Sequence, residues 1–229
     1  MSTSRRTTRR LAAAGVAFLT TLLSACQDAT APELNPVNSG YLTISAATYA
    51  NSSIDFKKLY PNFTTQVPSR STKGDTTLQK FTVNPLDGKL IVFGKTSGHI
   101  IAIPPNTLCH PTNNAYGPAE WLKPCQLATT SVRFEVRTWT GADGRPHADF
   151  SPDIRFDPSA PEPVRIFFQD PKLVSYTTVR IPFCSISLGC VDEGLTDSFL
   201  ETYASPRVGG GFWVYRNLRH FSGYNVTAD

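Results

Sequence analysis

Ser131–Thr138 reads SVRFEVRT, an unbroken alternation of apolar and charged side chains. Neighbouring side chains of a strand point to opposite faces, so Val132, Phe134 and Val136 share one face and Arg133, Glu135 and Arg137 the other. One buried face and one wet face is the pattern of an antiparallel sheet covered on one side. Leu78–Val83, Lys89–Phe93, His99–Ile103, Ala148–Phe150, Ile154–Phe156, Val164–Gln169 and Val174–Ile181 are further strand candidates. They recur at roughly 8–12-residue spacing. Turn residues separate them: Asp87-Gly88, Pro104-Pro105, Ala142–Pro146, Ser151-Pro152 and Gly209-Gly210-Gly211. Eighteen prolines and fifteen glycines suit that many turns. Phe212–Thr227 closes the chain as one long bent strand or two short ones. Leu195, Phe199 and Tyr203, four apart, predict one short helix within 191–203. No other stretch is amphipathic over enough length to form a helical layer. The fold class implied is all-β: an antiparallel β-sandwich with at most one short helix.

The N-terminus follows a different logic. Arg5, Arg6, Arg9 and Arg10 precede an apolar run from Leu11 to Leu23, and Ser24-Ala25 then leads into Cys26. A positive segment, a short apolar run and small residues make a cleaved signal peptide, too short for a comfortable membrane span. The block resembles a bacterial lipoprotein signal. That resemblance implies removal of residues 1–25 and lipid on Cys26, with the membrane as a partner. Gln27, rather than Asp, follows the cysteine; by analogy with enterobacterial sorting, the outer membrane is the expected destination. Thr8-Arg9-Arg10-Leu11 is faintly similar to a twin-arginine export signal, but general secretion is the plainer route. Residues 26–40 are polar and aperiodic, a flexible tether. The β-sandwich domain is expected over 41–229, with Tyr41–Ala47 a candidate first strand. Residues 41–77 form either a long loop or an irregular N-terminal lobe, anchored by Phe56, Tyr60 and Phe63.

The formal charge of +4 resides in the signal arginines, and no acidic residue leaves with them. The mature chain is formally neutral and shows no dense Lys/Arg stripe, so nucleic acid is not an expected partner. Of the five cysteines, Cys26 is assigned to lipid. Cys109, Cys125, Cys184 and Cys190 remain, an even number for an oxidising compartment. Four cysteines allow three connectivities; the pairs Cys109–Cys125 and Cys184–Cys190 close the shortest loops and are expected. Their spacings do not match common zinc knuckles. No metal and no cofactor are expected.

The usual catalytic signatures are absent: no Gly-X-Ser-X-Gly elbow, no His-Glu-X-X-His helix, no phosphate-binding loop. The four histidines are scattered. Asp143, Asp149, Asp153 and Asp157 match no calcium-loop spacing and read as turn-capping carboxylates. Tyr116 and Trp121 lie between Cys109 and Cys125. A disulfide-closed loop presenting two such rings is a candidate glycan or peptide site. The plainer role for Trp121 is to fold back over the core or a sheet edge. Three glycosylation sequons, at Asn51, Asn62 and Asn225, are read as chance matches behind a bacterial signal.

The most specific string is His220-Phe221-Ser222-Gly223-Tyr224 near the C-terminus. Together with Ile103-Pro104-Pro105-Asn106-Thr107-Leu108, Phe150-Ser151-Pro152 and Phe156-Asp157-Pro158 with Pro163, it resembles the β-sandwich domains of ZU5 type over residues 78–229. The sequence departs from that pattern in lacking a glycine-rich opening before Ile103 and in carrying a long insertion between Leu108 and Ser131. The resemblance implies a protein-interaction or scaffold module. It also implies that Ser222 could attack the Phe221 carbonyl with His220 as base, since some eukaryotic domains of this type cut themselves at a His-Phe-Ser string. Regular strand spacing opposes that couple: two rises put His220 and Ser222 roughly 6.5 Å apart along the chain. The leading expectation is a non-enzymatic envelope module that binds an envelope protein or glycan or supports structure. A self-processing domain cut at Phe221–Ser222 and a glycan-binding module are the alternatives.

Overall fold

The computed structural model describes residues 54–95, 98–173, 179–185, 188–207 and 210–228. The signal segment 1–25, Cys26, the tether 26–40 and the strand candidate Tyr41–Ala47 lie outside the described residues.

Two sheets face one another. The first has six strands in the order β1 (Thr64–Gln66), β4 (Lys89–Phe93), β5 (His99–Ile103), β8 (Val164–Asp170), β13 (Phe212–Leu218) and β12 (Tyr203–Pro206). The second has seven: β11 (Gly189–Val191), β10 (Phe183–Ser185), β14 (His220–Asn225), β7 (Pro146–Arg155), β6 (Val132–Thr140), β3 (Thr76–Val83) and β2 (Arg70–Lys73). A short pair, β9 (Val179–Arg180) with β15 (Thr227–Ala228), completes the strands. The pairings are antiparallel except β1 with β4, which is parallel. The chain is an all-β sandwich, as its turn-punctuated strands imply.

The alternation read in β6 is realised: Val132, Phe134 and Val136 are buried, and Arg133 and Arg137 are exposed. The inner faces meet through Phe81, Phe134 and Phe150 from one sheet and Ile101, Phe168 and Val214 from the other. Burying such side chains contributes roughly 1.5–3 kcal/mol each before entropy is counted. The outer face of the six-stranded sheet is apolar too, through Leu90, Ala102, Phe167 and Trp213. Residues 54–63 cover it. A single-turn helix, α1 (Phe56–Leu59), is capped by Asp55, whose carboxylate accepts from Lys57 and Lys58 N–H at 3.0 and 3.2 Å. The Phe56 ring meets Phe167 and Trp213 edge-on at 5.0 and 5.1 Å.

Two local expectations are corrected. Residues 191–203 do not form a helix. They hold the end of β11, two 3-10 turns (Glu193–Leu195 and Ser198–Leu200) and the start of β12. Asp192 and Asp197 each accept a bond from a backbone N–H two residues on, which satisfies the chain locally and stops helix growth. Leu195, on the supposed apolar face, is 75% exposed. Ser151-Pro152 is likewise not a turn between two strands but lies inside β7. Pairing to β6 ends at Ser151 and pairing to β14 resumes at Ile154, so Pro152 falls where no ladder donor is needed.

Candidate functional site

The end of the sandwich where β14 leaves β13 holds a buried polar cluster centred on His220. Asparagine, arginine and histidine follow in Asn217–His220, and Arg219 marks the corner. Its guanidinium pairs with Asp197 at 3.2 Å and lies over the Phe199 ring at 3.9 Å. His220 itself is 0% exposed.

The ring Nε2 of His220 lies 3.2 Å from Glu193 Oε1. The other carboxylate oxygen of Glu193 accepts from Arg216 at 2.7 Å. Arg216 shares the inward face of β13 with Val214 and Leu218 and also donates to the Ile181 carbonyl at 2.6 Å. Glu193 is therefore held between a fixed cation and the histidine. Burial opposes its charge, but His220 and Arg216 outweigh that and keep its carboxyl below the usual range. Burial lowers the His220 pKa, with the Glu193 hydrogen bond acting against it, so the imidazole is neutral at pH 7.

Three hydroxyls converge on the other nitrogen, Nδ1: Tyr116 at 3.0 Å, Tyr224 at 3.3 Å and Ser222 at 3.4 Å. Each hydroxyl has one proton to give. Tyr116 donates to the Phe221 carbonyl at 2.8 Å, and Tyr224 donates to the His220 carbonyl at 2.5 Å. Ser222 faces Nδ1 and both tyrosine hydroxyls. With Nε2–H directed at Glu193, the neutral histidine presents its Nδ1 lone pair to a group of three hydroxyls that includes Ser222. Serine, histidine and carboxylate are the three kinds of group from which activated nucleophiles are built.

The Ser222–His220 approach corrects the expectation from regular spacing. Rise along a strand measures backbone separation, whereas the imidazole reaches along the strand toward the next side chain on its face. The ladder is also irregular here. Phe221 pairs with Ile154 and Gly223 with Asp149, so β7 advances several residues while β14 advances past Ser222 alone. Such irregularities re-aim side chains. Phe221 meanwhile fills the core, stacked on Phe150 at 4.6 Å and edge-on to Phe156 and Phe134 at 4.8 and 5.2 Å.

Both expected disulfides are present, Cys109–Cys125 and Cys184–Cys190. The second staples the β10–β11 hairpin, where its two cysteines lie directly opposite. The first closes the loop that carries Tyr116 and Trp121, and this loop lies over His220. Asn114 brackets it, donating to the His110 and Gln126 carbonyls and accepting from Gln126 N–H at 2.8 Å. The Arg155 guanidinium donates to the Glu120 and Lys123 carbonyls from the strand beside β14. Trp121 stacks flat on the His220 ring at 3.9 Å and meets Phe183 edge-on at 5.6 Å. It covers the site, and Tyr116 reaches its hydroxyl into it while its ring stays partly exposed.

Asp143 and Asp157 accept from nearby backbone N–H groups in turns. Asp149 and Asp153 have their pKa values raised, by burial first. Among the described residues no group of three His, Cys, Asp or Glu is placed to hold a metal ion. Sequence reading found His220, Ser222, Tyr116 and Trp121 but missed Glu193, Arg216 and Tyr224. Arg216 did carry a signal: a charge at an inward position of an apolar strand requires a buried partner. Glu193, in a turn, carried none.

No protein family matches this chain, and no curated protein or solved structure is significantly similar to it.

Proposed function

We propose that this protein is an exported, lipid-anchored envelope domain that processes itself once at Phe221–Ser222. One observation carries the reading: Ser222 Oγ lies 3.4 Å from His220 Nδ1, while Glu193 engages the opposite nitrogen. The likeness of His220–Tyr224 to ZU5-type strands points the same way. The signal-like N-terminus and the two disulfides support an oxidising, exported setting.

The chemistry balances without a cofactor. Ser222 Oγ forms a bond to the Phe221 carbonyl carbon and gives its proton to His220 Nδ1. The Phe221 C–N bond breaks, and the proton passes from His220 to the departing Ser222 nitrogen. The resulting ester joins Phe221 to the Ser222 side chain. Water then hydrolyses it, leaving a Phe221 carboxylate and a free Ser222 amine and hydroxyl. The Nδ1–Oγ separation is longer than a tight catalytic hydrogen bond, as is common before the reacting state is reached.

The test is denaturing intact-mass spectrometry of the full chain after refolding in oxidising buffer. Products ending at Phe221 and beginning at Ser222, absent from a Ser222→Ala variant, support the reading. A single intact mass after long incubation overturns it and leaves an envelope scaffold module, in which the same cluster is structural.

A further inference from the structure

The self-processing reading gives the Cys109–Cys125 loop a role that packing alone does not require. Cleavage builds negative charge on the Phe221 carbonyl oxygen as the tetrahedral intermediate forms. A donor already aimed at that oxygen stabilises the charge without reorganising. Tyr116 O–H is such a donor, at 2.8 Å. We propose that Tyr116 is the oxyanion donor for this reaction and that the Cys109–Cys125 disulfide, by holding its loop on β14, makes processing depend on an oxidising environment. This inference rests on the self-processing reading.

Tyr116 belongs to neither strand of the reacting site. Its hydroxyl arrives from a segment more than a hundred positions earlier in the chain. Burial, with Asp153 and Glu193 nearby, raises its pKa, so it stays a donor throughout the physiological range. Tyr116 is itself 37% exposed, so the surrounding packing alone does not lock it in place. The loop path does: the disulfide, the Asn114 bracket and Arg155 hold its two ends. Gly117, at φ 133°, then turns the chain into the 3-10 turn Pro118–Glu120, which leads to Trp121 on the His220 ring. A side chain at position 117 would force a backbone conformation that L residues rarely adopt. Opening the disulfide frees one of the three restraints and lets the donor and the covering indole leave together. A precursor still reduced would then be slow to cut, and processing would follow disulfide formation.

The experiment refolds the full chain from denaturant with oxidised glutathione or with dithiothreitol and follows the Phe221 and Ser222 products by intact mass. Tyr116→Phe keeps the ring and removes the donor. It is expected to slow processing by about 10²-fold, typical of losing one oxyanion donor. Reductant, or Cys109→Ser with Cys125→Ser, is expected to slow wild-type processing by about tenfold or more through the loosened loop. The variant lacking Cys184 and Cys190 serves as control and keeps its redox response. Circular dichroism and melting temperature verify that each chain has folded. Wild-type chain that cuts equally fast with and without reductant, or a folded Tyr116→Phe that cuts at the wild-type rate, overturns this inference alone. A wild-type chain that stays intact in both buffers overturns the self-processing reading and this inference with it.

Discussion

Arg216 and Glu193 form an ion pair of 2.7 Å in which the arginine side chain is 0% exposed and the glutamate 7%. Two charges removed from water are costly, and their attraction offsets that cost only with further hydrogen bonds. Here Arg216 adds the Ile181 carbonyl, and Glu193 adds His220. A hydrophobic pair would serve stability about as well, so the arrangement is better explained by what it does to His220: it fixes the ring and its tautomer.

Removing one partner strands the other. Glu193→Leu should destabilise the domain by about 3–5 kcal/mol, read as a lower urea midpoint, because Arg216 is left buried and uncompensated. Adding Arg216→Met should recover a substantial part of that loss. Processing should not recover with it, because His220 still lacks its orienting carboxylate. A double variant that regains both stability and cutting would show that Glu193 acts only through packing.

The histidines make stability depend on pH in a definite direction. Burial lowers the His99 pKa from 6.5 to about 4, with Arg207 nearby adding to the effect. Burial lowers that of His220 as well. Between its folded and unfolded values, such a histidine binds more protons in the unfolded chain than in the native one. Stability is therefore fully present above about pH 6.5 and is lost as pH falls toward 4, by roughly 3 kcal/mol for His99 alone. Asp149 and Asp153, raised by burial, act in the opposite sense from about 3.8 upward to their raised values. Thermal melts from pH 8 to 4.5 should show a falling melting temperature. His99→Gln should flatten that slope, and an unchanged slope would mean that His99 is not held neutral in the native state.

The same contrast between local and long-range information explains what the sequence discloses. Strands such as β6 are legible because their burial is written in a period of two, and both disulfides because they close short loops. The helix expected at 191–203 fails because Asp192 and Asp197 satisfy backbone donors nearby, which a four-residue spacing of Leu195, Phe199 and Tyr203 does not register. The His220 cluster is only half legible. Ser222 and Tyr224 lie on the same face as His220, two and four residues on, while Glu193, Arg216 and Tyr116 arrive by folding from three separate segments. No spacing rule connects them.

If Phe221–Ser222 is cut, the sheet determines what becomes of the new C-terminal piece, residues 222–229. Gly223, Tyr224 and Asn225 pair with β7, and Gly223 and Tyr224 also pair with Cys184 and Phe183 of β10. Thr227 and Ala228 pair with β9. Tyr224 is 1% exposed and Val226 0%, so both side chains are sealed in the core. On the other side of the cut, Phe221 stays clamped by Phe150 and Phe156. Releasing the piece would expose apolar surface worth roughly 1.5–3 kcal/mol for each buried large side chain and break strand pairing on both edges. The cut chain should therefore remain one folded body. Native mass spectrometry and gel filtration should show the mass of the uncut protein, while denaturing spectra show two pieces. Tyr224→Ala should weaken this retention and allow the fragment to separate on gel filtration. Spontaneous loss of residues 222–229 from the processed wild type under native conditions would refute retention and recast the reaction as release of a peptide.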